Sequence, residues 1–214
     1  MKLKFLGRHI EHDPASRQFP AAQAAALKSV THERKCAAFD QGQLGSCTGN
    51  AMAGLLMTVP YFDLSRPALN EATAVSIYEA GTKLDKIPGS YPPHDTGSSG
   101  LAVMKAAKKM GFITAYHHAF GLQHALAALV LGPVITGVNW YEGFDNPDAN
   151  GLVHVTGAVR GGHEFEVVAI DVEKKTVTAC NSWGTGWGKN GFFTFSWADW
   201  DRLLKEQGDV TVAV

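Results

Sequence analysis

The sequence predicts an α+β fold of two lobes with a cleft between them. Two patterns and one proportion lead there. Capped helical segments fill the first half of the chain, and short strand-like runs separated by turn residues fill the second. With 214 residues, 45% apolar and 18% charged, the chain buries a sizeable core without the signature of disorder or of a coiled coil.

The elements follow in order. Residues 21–30, alanine-rich and placed after Pro20, predict a helix. The turn-rich stretch Asp40-Gln41-Gly42-Gln43-Leu44-Gly45-Ser46 hands over at Cys47 to small and apolar residues. These predict a helix buried on most sides that stops near Pro60. Asn70 is placed as the N-cap of a helix through Leu84, with Glu71 favourable in its first turn. Residues 87–97 form a Pro/Gly-rich loop. Ser98 or Ser99 then caps a helix over 101–110 that Gly111 ends. Beyond it the period changes. Strands are expected over 112–116, 133–140, 152–155, 164–171, 176–179 and 192–195, with a helix over 123–131. Residues 172–175 make a turn between the fourth and fifth of these strands. Ser196 with Asp199 opens a last helix through Lys205.

Charge and cysteine usage narrow the function classes. Nineteen Lys and Arg against 20 Asp and Glu leave a formal charge of -1, which argues against nucleic acid as a partner. The longest apolar runs are too short to cross a bilayer, so no membrane association is expected, and the N-terminus lacks the apolar stretch of a signal peptide. Three cysteines are too few for a disulfide framework and suit a reducing compartment, hence a cytoplasmic location. His117, His118 and His154 lack ligand spacing with any Cys or acidic cluster, so neither metal nor other cofactor is expected.

Three pieces carry chemistry. Cys47 stands where a glycine-rich turn becomes a helix, so the helix dipole favours its thiolate. Gln41, six residues upstream in the same turn, places an amide donor near the Cys47 backbone N–H, as an oxyanion would need. His163 follows Gly161-Gly162 at the mouth of an apolar strand. Asn181-Ser182-Trp183 ends the partner strand. A hairpin of those strands brings His163 and Asn181 together at its open end, where the Asn carbonyl orients the imidazole and Trp183 shields the bond from water.

Gln41 to Cys47, Gly162-His163 and Asn181 to Gly188 resemble the three signature blocks of papain-like cysteine peptidases, in that family's chain order, over roughly residues 36–200. The resemblance implies a mainly helical lobe facing an antiparallel, β-barrel-like lobe. It also implies a Cys47–His163 pair, Asn181 as orienter and Gln41 with the Cys47 N–H as oxyanion hole. The activity implied is peptide-bond hydrolysis on a peptide or protein substrate. A related isopeptide, cell-wall peptide or acyl-transfer chemistry, and a silent binding or structural module, are the alternatives. Gly97, Ser98, Gly162 and Trp183 are the implied substrate-binding residues, Gly97 and Ser98 lying in the segment whose backbone pairs with an extended substrate. Leu44, Thr48 and Glu164 depart from the family's usual residues, and strand alternation points the Glu164 carboxylate away from the His163 side. Cys36 and Cys180 are read as structural. Residues 36–214 form the implied peptidase domain. Residues 1–35 are an extension expected to dock on the domain through the alanine-rich stretch rather than plug the cleft.

Overall fold

The computed structural model describes residues 5–214. Three helices build the first lobe: α1 (Cys47–Leu56), α2 (Glu71–Thr82) and α3 (Gly100–Lys109). Their caps are those the sequence offers. Asn70 accepts from the Thr73 N–H and Ser99 from the Ala102 N–H, each satisfying one of the orphan donors at a helix start. Every residue of α1 is buried. Its small side chains let neighbouring elements approach, and Gly49 packs so closely on α2 that a Cβ there would lie 2.2 Å from the Ala74 carbonyl oxygen. Met52, Leu55, Ile77, Val103 and Met104, none of them exposed, centre the core of this lobe.

The second lobe is an antiparallel sheet of seven strands: β1 (Val30–Thr31), β2 (Tyr116–His118), β3 (Val134–Tyr141), β4 (Val159–Asp171), β5 (Thr176–Cys180), β6 (Phe192–Ser196) and β7 (Asp209–Ala213). The order is β2-β7-β3-β4-β5-β6, with β1 added on β4. Among the described residues the ladder runs from β2 to β6 without closing, so the barrel-like lobe is an open sheet. Helices α4 (Leu122–Leu129) and α5 (Trp197–Lys205) flank it. Trp140, Phe165, Phe193, Phe195 and Trp200 fill its core. Ser196 caps α5 through the Asp199 N–H, as the capping pattern predicts.

Several elements differ from expectation. Residues 21–30 form no helix: the Ala21 and Ala24 amides donate to His118 and Ala127 carbonyls across the chain. A ten-residue alanine-rich stretch is a marginal helix, and tertiary partners outcompete its internal bonds. The strand expected over 112–116 is instead β2, shifted toward the C-terminus to meet β7. Residues 152–155 contribute only an isolated bridge between Leu152 and Thr194. Strand β7 is not among the strands expected, although Gly208 stands between it and α5.

One register matters below. Gly137 of β3 stands opposite Glu164 of β4 on one side and opposite Asp209 of β7 on the other.

Candidate active site

Cys47 is the first residue of α1, and helix and turn hold it in place together. The Asn50 Nδ2 donates to the Ser46 carbonyl at 2.9 Å, while the Gly45 N–H donates to Asp95 Oδ2 at 2.8 Å. Asp95 also accepts from the Tyr78 hydroxyl, which in turn accepts from the Gly97 N–H at 2.9 Å. The turn before Cys47 and the loop at Gly97 are thereby tied to one helix. Gln41 is anchored at both ends of its amide. Its Nε2 donates to the Leu44 carbonyl at 2.7 Å, and its Oε1 accepts from Ser182 Oγ at 2.6 Å. One N–H of the amide remains uncommitted.

On the facing strand His163 is fully buried, and its Nε2 lies 2.8 Å from Asn181 Oδ1. That oxygen also accepts from the Ser182 backbone N–H at 2.7 Å, which fixes the orientation of the Asn181 amide. Nε2 therefore carries the proton, and Nδ1 of the neutral ring is a lone pair. Nδ1 is buried and has no hydrogen-bond partner. Trp140 packs edge-on against the imidazole at 4.8 Å between centroids, and Trp183 covers it at 5.0 Å. The next backbone N–H along β4, that of Glu164, reaches the Cys47 sulfur.

The cleft is not open. Residues 5–9 cross it in extended form. The Gly7 and Arg8 amides donate to the Gly162 carbonyl at 3.2 and 3.0 Å. Ser98 N–H donates to the Gly7 carbonyl at 2.8 Å, and His9 N–H donates to the Ser98 carbonyl at 2.7 Å. Trp183 Nε1 donates to the Phe5 carbonyl at 3.2 Å. Gly7 lies flush on the turn before Cys47, since a Cβ there would sit 2.0 Å from the Gly45 oxygen. Ala21 lies in the core of the sheet lobe, and the segment ahead of it enters the cleft. Backbone hydrogen bonds to Gly162 and Ser98 explain why: an extended chain of any sequence satisfies them, so side-chain composition gives no warning.

Burial under this segment dominates the electrostatics. The Cys47 thiol is pushed up to about 12, by burial first and by the nearby Glu164 carboxylate second, against the helping amides of Glu164 and Thr48. Burial also drives His163 down to about 4, with the bond to Asn181 opposing it. In the covered cleft the pair is a neutral thiol and a neutral imidazole. The helix-start argument for a thiolate at Cys47 is overridden by desolvation.

Set beside solved structures, the chain superposes on xylellain, a cysteine protease from Xylella fastidiosa, over 100% of its own length and 98% of that chain. The TM-score is 0.81 at 20% identity. No family model matches the sequence. An uncharacterized peptidase C1-like protein of Acanthamoeba polyphaga mimivirus is 23% identical over 210 residues, covering 78% of this chain and 66% of the relative. A cathepsin B-like cysteine proteinase of Schistosoma japonicum is 37% identical over 67 residues, covering 30% of this chain and 20% of the relative. The chain has the fold of the papain-like cysteine peptidases. It spans from about a fifth to two thirds of these two curated relatives' own length.

In this papain-like chain Cys47, Gln41, His163 and Asn181 converge as described, and Gly97, Ser98, Gly162 and Trp183 all touch residues 5–9. Trp140, Arg8 and Asp209 lie outside the motifs, and Ser182, inside one, gets its role only from its bond to Gln41. Trp140 reaches the imidazole only through the β3–β4 register, and no sequence signal marks that pairing. Among the described residues no helix is long and apolar enough to cross a membrane, and no group of three or more His, Cys, Asp or Glu is placed to hold a metal ion.

The three thiols are free. Arg34 lies near Cys36 and Cys180, a cationic neighbour the linear sequence does not reveal. In the covered chain Cys36, half-buried, should react with limiting iodoacetamide ahead of Cys47. Alkylation of Cys47 should quicken by about tenfold per pH unit between pH 6 and 9, because its thiolate fraction grows at that rate below its pKa. Peptide mapping reads both. A Cys47 rate that is high and flat with pH would mean the pair is ionised and the cover absent in solution.

Proposed function

We propose that the chain is a thiol-dependent peptidase that hydrolyses peptide bonds through Cys47, His163, Asn181 and Gln41. The observation that carries this reading is the His163–Asn181 pair, with its buried Nδ1 lone pair, beside Cys47 in a cleft already holding an extended peptide. In the proposed reaction the substrate displaces residues 5–9 and lies along Gly97, Ser98, Gly162 and Trp183. Cys47 Sγ attacks the scissile carbonyl carbon while its proton passes to His163 Nδ1. The carbonyl oxygen, now negative, takes hydrogen bonds from the Cys47 N–H and the free N–H of Gln41. As the carbon–nitrogen bond breaks, the imidazolium returns the proton to the leaving amine. A thioester remains on Cys47. Water attacks it, giving its proton to His163, and the thiol is restored as the carboxylic acid departs. Asn181 keeps the ring in the tautomer that accepts at Nδ1 throughout.

Every step uses side chains of this chain, so the proposed reaction draws on no cofactor. Residues 36–214 serve as the peptidase domain and residues 1–35 as an extension that covers it. Three free thiols suit work in a reducing compartment such as the cytoplasm.

The test is a peptide-library digest under reducing conditions with the full chain, Arg8→Ala to loosen the cover, and Cys47→Ala. Cleavage by either of the first two and none by Cys47→Ala is expected, and the fragments separate peptide from isopeptide or acyl-transfer chemistry. Gln41→Ala should lower kcat on the order of 10²–10³-fold. Absence of cleavage by both wild type and Arg8→Ala, with no thioester trapped on Cys47, would overturn the reading.

A further inference from the structure

Asp95 stands on an exposed loop, yet both oxygens of its carboxylate bond to groups of the interior. Oδ2 accepts from the Gly45 N–H at 2.8 Å, and Oδ1 accepts from the Tyr78 hydroxyl at 2.5 Å. Tyr78 is fully buried on α2, and its oxygen also receives the Gly97 N–H. Burial first and the bond to Asp95 second push that hydroxyl above its ordinary pKa, so it keeps its proton and donates. The close approach needs a glycine opposite the carboxylate. A Cβ at Gly45 would lie 2.9 Å from Asp95 Oδ1 and 3.3 Å from Oδ2. Gly45 and Asp95 are 50 residues apart in the chain, so only the tertiary fold brings them together.

The Gly45 N–H shares its peptide group with the Leu44 carbonyl, and in a trans peptide the two point in opposite directions. That carbonyl accepts from Gln41 Nε2 at 2.7 Å. One rigid plane is thus gripped by Asp95 at one edge and grips the Gln41 amide with the other. Packing does not fix this turn from outside: Gly42, with a φ of +60°, meets nothing within 4 Å of a Cβ, and Gln43 is exposed. A charged acceptor on the N–H also strengthens the bond at the carbonyl, because hydrogen bonds in a chain polarise one another. Ser182 holds the oxygen of the Gln41 amide and the Leu44 carbonyl holds its nitrogen. The remaining N–H on that nitrogen is the one the proposed reaction uses.

We infer that Asp95 is a positioning residue for the oxyanion hole, aiming the free N–H of Gln41 through the Leu44–Gly45 peptide. Through Tyr78 it ties that aim to the loop at Gly97. The inference rests on the peptidase reading for the use of the N–H, but not for its positioning. Loss of the carboxylate leaves Cys47 and His163 in place and lets the Gln41 amide swing.

A double-mutant cycle with Gln41 tests it by steady-state kinetics. All chains also carry Arg8→Ala, which removes the ion pair of the covering segment with Asp209. Asp95→Ala should lower kcat on the order of 10- to 100-fold, the scale on which a displacement of about 1 Å at a catalytic group acts. KM should stay within about threefold, because the donor acts in the transition state. On a Gln41→Ala background the same substitution should lower kcat by less than about twofold, since the group it aims is gone. Asp95→Asn, which keeps an oxygen for the Gly45 N–H, should recover most of the loss. Equal losses with and without Gln41 would overturn the proposal, because a residue that only supports the fold acts on both backgrounds alike. Should Asp95→Ala lose its near-ultraviolet circular dichroism, Tyr78→Phe, which frees the carboxylate from α2, enters the same cycle and is judged by the same difference.

Nitrogen-15 relaxation of the Gln41 side-chain amide in Cys47→Ala chains reads the positioning without turnover. Its order parameter should be about 0.8 with Asp95 and below about 0.6 without it. A rigid amide in both chains would sink the proposal. Loosening in a protein that cleaves nothing would fail the peptidase reading and leave the role of Asp95 standing. Cleavage with no loosening would do the reverse.

Discussion

Replacing His163 by alanine should lower kcat for peptide hydrolysis on the order of 10⁴–10⁶-fold, the range seen when the base of a nucleophile–base unit is removed. KM should change little, because the bonds that Ser98, Gly162 and Trp183 make to residues 5–9, which a substrate would take over in the proposed reaction, do not involve the imidazole. Asn181→Ala should cost less, since the ring keeps Trp140 and Trp183 as walls and loses only the acceptor that sets its tautomer. Steady-state kinetics on Arg8→Ala chains, where the cover is loosened, compares the three. A loss smaller than tenfold for His163→Ala would remove the imidazole from the proposed mechanism.

Arg34→Met should destabilise the fold by about 3–5 kcal/mol, the usual consequence of orphaning one member of a buried ion pair. Arg34 and Glu166 pair with side chains 6% and 1% exposed, and the guanidinium lies over the Phe39 ring at 5.0 Å. Glu166 belongs to β4 and Arg34 packs against Gly54 of α1, so the pair joins the two lobes. Burial already raises the Glu166 pKa in spite of Arg34, so removing the cation leaves a carboxyl with little to keep it charged. For a protein whose total stability is typically about 5–15 kcal/mol the loss is large. Urea denaturation measures it, and Arg34→Met with Glu166→Met together should recover much of the difference. A single-variant loss under about 1 kcal/mol would show that the pair contributes nothing beyond packing.

What the linear sequence revealed divides along physical lines. Caps and periods are local, so Asn70, Ser99 and Ser196 open the helices expected of them, and β3 to β6 fall where alternation and turns place them. The motif residues were legible because their chemistry demands particular types at particular spacings. Pairing across the sheet was not. Strand β7, the row of Asp209, Gly137 and Glu164, and the contact of Trp140 with His163 depend on register between segments distant in sequence. The ionisation of Cys47 does not follow from the helix-start dipole, which takes no account of what lies on top of the thiol. Burial outweighs the helix start once residues 5–9 close the cleft.

Residues 5–9 bond to both lobes and belong to the same chain as the site they fill, so they compete as a tethered ligand. A short flexible tether holds its ligand at an effective concentration in the millimolar range. A substrate at micromolar concentration therefore meets a rival a thousandfold more abundant, and its apparent affinity falls by the fraction of time the cleft is free. Substrate delivered as a long chain has the complementary advantage: once one stretch has entered, the neighbouring stretches are held near the cleft at comparable local concentration. Such an arrangement spares dilute short peptides and favours extended polypeptides that stay engaged while the segment is held away.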